Sequence, residues 1–182
     1  VTITAASESF EYDGQSHSNN EVTVTEGSLA DGETLNARAT GLVRNVLDTE
    51  NGNNPIAEDY QILNGENDVT SNYDITPVAG TLTVTTKAAT LKVDEDQQKV
   101  YGEANPESYT ATAGGLVTGD SLNYTVSRTA GETVGNYDIT IALGSNPNYD
   151  VTVTNGSFEI TKRPVTITAA SESFEYDGQS HS

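Results

Sequence analysis

The residues in this chain with the greatest chemical potential are its carboxylates. Asp48 and Glu50, close to Glu58 and Asp59, form one acidic group, and Asp94 and Asp96 flank Glu95 in another. Hard oxygen ligands at such spacing suit Ca²⁺, so Asp48, Glu50, Asp94 and Asp96 are the candidate metal ligands. Neither group has the spacing of an EF-hand loop or of a glycine–aspartate nonapeptide. A solvated acidic face is the plainer expectation for both. Paired carboxylates could also hydrolyse glycosides, but that needs a cleft and two perturbed acids, and nothing in the sequence makes two converge.

Other reactive chemistry is sparse. There is no Cys, so thiolate metal sites, disulfides and Cys nucleophiles are excluded. His17 recurs only as His181, too few imidazoles for a zinc site within one unit. No Ser sits in a Gly-x-Ser-x-Gly elbow, and no glycine-rich phosphate loop is present. The expectation is therefore no enzyme and no required cofactor. Four lysines, Lys87, Lys92, Lys99 and Lys162, raise the question of a Lys–Asn isopeptide crosslink, which would suit a Cys-free chain under load.

Ligand contact is the remaining possibility. Asn51, Asn53 and Asn54 cluster in a segment that one half of the chain has and the other lacks. Loops of that kind carry binding function. Tyr109 and Tyr124 lack counterparts in the other half, so they are freer than the remaining tyrosines to stack on a sugar.

The elements that must position these residues are strands. Tyr137, Ile139, Ile141 and Leu143 alternate with Asp138, Thr140 and Ala142. Leu122, Tyr124 and Val126 alternate likewise, as do Tyr149, Val151 and Val153. A period of two buries one row and solvates the other. Asn-Gly pairs at 51–52, 64–65 and 155–156 predict tight turns, the third as a hairpin. Only Gly115–Leu122 is expected to make a helical turn. The predicted fold is all-β: tandem antiparallel modules, Ig-like sandwiches with a β-grasp-like unit as the alternative.

Repetition organises the chain. Residues 165–182 repeat residues 1–18 without a change. A weaker repeat lies within. Asn72-Tyr73-Asp74 followed by Gly80-Thr81-Leu82-Thr83-Val84 matches Asn148-Tyr149-Asp150 followed by Gly156-Ser157-Phe158-Glu159-Ile160. Tyr12, Tyr60 and Tyr73 thereby correspond to Tyr101, Tyr137 and Tyr149. The expected units are 1–87, with an insertion near 43–56, then 88–164, then the opening strand of a further copy at 165–182. No Gly/Ser linker separates them, and Pro164 restricts its neighbour to extended backbone. An end-to-end rod is expected.

The net charge is −19, so nucleic acid and anionic lipid are not expected partners. No apolar run is long enough to span a bilayer.

Tyr101-Gly102, Asn105-Pro106, Gly115-Leu116-Val117-Thr118-Gly119-Asp120, Val134-Gly135-Asn136-Tyr137 and Asn148-Tyr149 together resemble the MBG-type (YGX) module of bacterial surface proteins. The half containing Tyr12-Asp13-Gly14 resembles its YDG-type relative. The resemblance implies an extracellular, cell-surface or cell-wall location. It also implies a role as a stalk segment projecting a distal adhesive domain. The alternative is that the repeats themselves bind host mucin, glycan or matrix protein. Neighbouring repeats are the expected partners. The chain is otherwise expected to be a monomer, with association only through an unpaired 165–182 segment.

Overall fold

The computed structural model describes residues 1–181. Ser182, the last residue of the predicted 165–182 strand, lies outside the described residues.

The N-terminal half contains three small sheets. β1 (Thr2–Ala5) pairs antiparallel with β3 (Val22–Glu26) and parallel with β7 (Thr76–Val78). β2 (Glu8–Glu11) pairs parallel with β8 (Leu82–Thr85). β4 (Glu33–Asn36), β5 (Gln61–Asn64) and β6 (Asn67–Asp68) form an antiparallel sheet.

The C-terminal half has two. β9 (Lys87–Val93) lies between β11 (Ala111–Gly114), antiparallel, and β14 (Tyr149–Thr154), parallel. β15 (Gly156–Thr161) pairs parallel with β10 (Gln98–Val100) and antiparallel with β13 (Gly135–Leu143). β12 (Tyr124–Arg128) completes that sheet against β13. No strand of β1–β8 pairs with a strand of β9–β15.

Period-two patterning explains the packing. Along β9, Ala89, Leu91 and Val93 are buried while Ala88, Thr90 and Lys92 face water. Along β15, Phe158 and Ile160 are buried with Ile139 of the neighbouring β13 and Val93 of β9 in the other sheet, with Tyr109, Val126, Tyr137 and Ile141 around them. Each such aliphatic or aromatic side chain contributes about 1.5–3 kcal/mol on burial. Ile3, Ile62, Leu82 and Val84 play the same part in the N-terminal half.

The all-β expectation holds, but not every pairing is antiparallel: three sheets are mixed, and β2–β8 is parallel. In each half the first extended run breaks and its second part crosses to another sheet. There it runs in the same direction as the last strand, which gives the β2–β8 and β10–β15 pairs.

The expected hairpin at Asn155-Gly156 is not formed. β14 and β15 belong to different sheets, and Asn155–Gly156 is the crossing between them. A Cβ at Gly156 would lie 2.7 Å from Val93 Cγ1, so the crossing needs glycine for close approach. At Asn64–Asn67 a hairpin does form, with Gly65 at φ 63° in the two-residue loop. Gly115–Leu122 contains turns but no helix; the short 3₁₀ turns are Val46–Asp48 and Thr70–Asn72. The first is closed by Asp48, whose Oδ2 accepts the amides of Arg44 (2.8 Å) and Asn45 (2.7 Å).

Candidate functional site at the junction of the two halves

Thr85 ends β8 and Lys87 opens β9, leaving only Thr86 between them. A connection this short cannot act as a flexible linker. It is tied on both sides. The Tyr12 amide donates to Thr85 O at 2.9 Å and the Lys87 amide to Asn148 O at 3.0 Å. Lys87 Nζ pairs with Glu11 Oε1 at 3.0 Å.

Around this connection the two halves share a core. Tyr12, Val43, Leu82 and Val84 from the N-terminal half pack with Val117 and Tyr149 from the C-terminal half. The rings of Tyr12 and Tyr149 meet edge to face, with centroids 5.5 Å apart. Both hydroxyls donate to one carboxylate oxygen, Asp120 Oδ2, at 2.8 Å from Tyr12 and 2.6 Å from Tyr149. The Tyr149 hydroxyl in turn accepts from the Val117 amide at 3.0 Å. Gly14, at φ +76°, admits Val117: a Cβ there would lie 2.9 Å from Val117 Cγ1.

The insertion residues add a second clasp. Asn148 Oδ1 accepts the Val46 amide at 3.0 Å, and its Nδ2 donates to Asn45 Oδ1 at 3.1 Å. The part of the insertion nearest Val43 is therefore junction material rather than a free contact loop.

The electrostatics are those of a static clamp. Hydrogen bonds from Tyr149 and then Tyr12 hold the Asp120 carboxyl below the usual carboxylate range. Burial, and then the bond to Asp120, pushes the Tyr149 phenol up to about 12. Tyr12 is raised by the same two causes in the same order. Hydrogen bonds to an ionised acceptor contribute about 1.5–3 kcal/mol each.

The residues singled out by sequence lie elsewhere. Among the described residues no three His, Cys, Asp or Glu side chains gather to hold a metal. Asp48 is occupied with the Arg44 and Asn45 amides, and Asp94 Oδ1 accepts the Thr112 hydroxyl at 2.6 Å. Glu50 and Asp96 are exposed, Asp96 at a left-handed φ of 59°.

Asn53 and Asn54 are engaged by the backbone of their own half. Asn53 mimics a strand, accepting the Leu82 amide at 2.7 Å and donating to Leu82 O at 2.8 Å. Asn54 is fully buried; it accepts from the Gly41 amide and donates to Ala6 O and Asn19 O. Alternation and turn chemistry do not reveal such a role, because it depends on distant backbone. Asn51 remains exposed and accepts the Thr81 hydroxyl at 3.3 Å. Tyr109 packs edge-on against Phe158, and the Tyr124 hydroxyl reaches Ala111 O at 3.4 Å. His17 stacks on Phe10 with centroids 4.4 Å apart and binds Asp13 at 2.9 Å.

Of the lysines, Lys99 shares a carboxylate partner with an asparagine, Asn105. Glu132 bridges the two: Oε2 pairs with Lys99 Nζ, and Oε1 accepts from Asn105 Nδ2 at 2.9 Å. The bond from Lys99 and then that from Asn105 hold the Glu132 carboxyl down to about 2. Lys99 and Glu132 form a salt bridge in which the lysine side chain is buried and the glutamate exposed.

Residues 89–159, which carry β9 through most of β15, match the family model described as MBG domain (YGX type). This stretch is similar to a YGX-type MBG domain. No curated protein and no solved structure matches the chain. Tyr149, Asp120 and Val117 all lie within the matched stretch. Its contribution to the junction is therefore a set of elements from the matched fold. Tyr12, Gly14 and Val43–Val46 lie outside the matched stretch.

Proposed function

We propose that the chain is a non-catalytic stalk segment of a bacterial cell-surface adhesin, in which each β module adds a fixed length and carries a distal binding domain away from the cell. The observation that carries this reading is the junction. A one-residue connection, a shared apolar core and paired tyrosine–aspartate hydrogen bonds couple successive modules so that they resist bending. Two further features support it. The MBG domain is a repeat module of adhesin-type proteins, and residues 1–18 recur unchanged at 165–182. The charge of −19 adds self-repulsion that opposes collapse.

Small-angle scattering on chains of one, two and three repeats tests it. The maximum dimension should rise in equal steps, on the order of 33 Å for each module, the length of a ten-residue strand. A dimension that grows like that of a compact globule overturns the reading.

One observation favours the second reading, in which the repeats themselves bind host glycan. A polar groove of about 590 Å³ runs beside the junction, lined by Ser121, Asn123, Asn146, Asn148 and Asp120. Side-chain amides and hydroxyls of this kind can hydrogen-bond sugar hydroxyls. A glycan array probed with a multimeric chain, beside an Asn123→Ala and Asn146→Ala double variant, separates the two readings. Signal lost in the variant supports the groove, and a blank array leaves the spacer role alone.

A further inference from the structure

The second end of the C-terminal half carries the elements of another junction, left uncovered. Tyr101 is the geometric counterpart of Tyr12. The Tyr101 amide donates to Thr161 O at 2.9 Å, as the Tyr12 amide does to Thr85 O at 2.9 Å. Each tyrosine has a glycine in the left-handed region close after it, Gly14 at φ 76° two positions on and Gly102 at φ 82° at the next. Their surroundings differ sharply: Tyr12 is 5% exposed and Tyr101 49%. A Cβ on Gly14 would collide with Val117, whereas one on Gly102 would meet only Arg163 Nη1, at 3.3 Å.

The complementary face is present at the opposite end of the chain. The Tyr73 hydroxyl accepts from the Ala30 amide at 2.9 Å, as the Tyr149 hydroxyl does from the Val117 amide at 3.0 Å. The Tyr73 hydroxyl donates to Glu33, as that of Tyr149 donates to Asp120. Ala30, Glu33 and Tyr73 therefore reproduce the receiving side of the observed junction. The connecting segments also agree. As many residues separate Thr161 from Val165 as separate Thr85 from Ala89, and Val165 opens the exact repeat of the segment that begins at Val1. The Val1 nitrogen donates to Asp74 O at 2.7 Å, extending the β1–β7 ladder by one bond.

We infer that Tyr101 and Gly102 form a docking face whose occupant is the Ala30–Glu33–Tyr73 face of a following copy of residues 1–87. The Tyr101 hydroxyl donates to Glu33 of that copy, as Tyr12 donates to Asp120. The two kinds of junction are unequal. Residues 88–164 have no counterpart of the Val43–Val46 segment, so the Asn45 and Val46 bonds to Asn148 have no equivalent at Asn72. Tighter and looser joints therefore alternate along the array. This inference rests on the tandem-spacer reading above.

Hydroxyl-radical footprinting of a chain with two consecutive copies of residues 1–164 tests it, because the second copy's Tyr101 is an internal control. The first copy's Tyr101 should react several-fold more slowly than the second's, and no such protection should appear in a one-copy chain. Tyr101→Phe in the first copy should restore much of the reactivity of neighbouring Gly102–Asn105 without altering the one-copy chain. Tyr101→Ala, at a position half exposed in one copy, should do so more completely. Equal Tyr101 reactivity in both copies overturns the docking face. Scattering from the same two-copy chain reports separately on the spacer reading: an elongated chain with unprotected Tyr101 rejects the docking face and leaves the spacer standing.

Discussion

The Tyr12 hydroxyl donates to Asp120 across 108 sequence positions, and this bond joins one half of the chain to the other. Tyr12 is held by its own half through β8, and Asp120 by the turn before β12. Their contact therefore reports the relative placement of the two halves.

Removing that bond should loosen the junction without unfolding either half. Tyr12→Phe keeps the ring against Tyr149 and loses the hydrogen bond, with an expected cost of about 1.5 kcal/mol. Tyr12→Ala also removes the buried ring, at a cost of about 3 kcal/mol. Faster amide exchange at Val117 and Val46, with unchanged exchange in β13, is the expected signature.

Gly14→Ala attacks the same contact from the backbone. The left-handed φ of +76° alone costs about 1–2 kcal/mol for a residue with a Cβ. The approach to Val117 adds to it. Gly102→Ala carries the φ strain but meets no comparable obstacle in a one-repeat chain. Thermal melts of the two variants should rank Gly14→Ala as the more damaging.

Acid should weaken the junction, and alkali should do the same by another route. Asp120 has a depressed pKa. Its contribution is therefore present above the unfolded aspartate value of about 3.9 and is lost as pH falls through the lower folded value. Glu132 follows the same sign and loses its contribution as pH falls toward about 2. Tyr149, raised to about 12, contributes fully below the unfolded tyrosine value near 10 and loses that contribution as pH rises toward 12. Tyrosinate absorbance should show a late-titrating phenol that shifts to lower pH in a Tyr12→Phe, Asp120→Asn double variant.

Asn54→Ala should be severe. It strands the Gly41 amide and the Ala6 and Asn19 carbonyls in a buried site, at a combined cost of about 3 kcal/mol or more. In a domain of this size that lowers the melting temperature by roughly 12 °C or more. Asn51→Ala, at an exposed position of the same loop, should change stability by less than about 0.5 kcal/mol. Parallel calorimetry of the pair checks the contrast.

The 165–182 segment should drive any self-association. Val165, Ile167 and Tyr176 are 79%, 93% and 98% exposed, and residues 165–181 form no strand. Concentration-dependent sedimentation that disappears when residues 165–182 are deleted is the expected outcome.

Much of the fold was legible because alternation is a local signal. Ile139, Phe158 and Ile160 reach the core through the period-two rows that sequence displays. The parallel pairs were not legible, since which strand lies beside β2 or β10 depends on where the broken first run crosses. Asn155-Gly156 shows the same limit: the dipeptide permits a hairpin, but close approach to Val93 turns it into a crossing. The junction was partly legible. Recurrence marked Tyr12 and Tyr149 as structural anchors, yet it did not show that they meet each other.

Residues 1–18 and 165–182 separate the two kinds of information, because one sequence occurs in two settings. In both, the Asp-Gly-Gln turn forms: Gln15 N donates to Asp13 Oδ1 at 2.8 Å, and Gln179 N to Asp177 Oδ1 at 2.9 Å. His17 stacks on Phe10, and His181 on Phe174 at 4.2 Å. These features need only neighbours in the chain, so sequence alone determines them. The strands differ. Ile3 is 0% exposed and its repeat Ile167 is 93%; Tyr12 is 5% exposed and its repeat Tyr176 is 98%. A lone strand has no partner within itself for its backbone N–H and C=O groups until another strand arrives, and an apolar row gains nothing until a second sheet covers it. Only the tertiary structure supplies those partners, and only it decided that Tyr12 would join two modules.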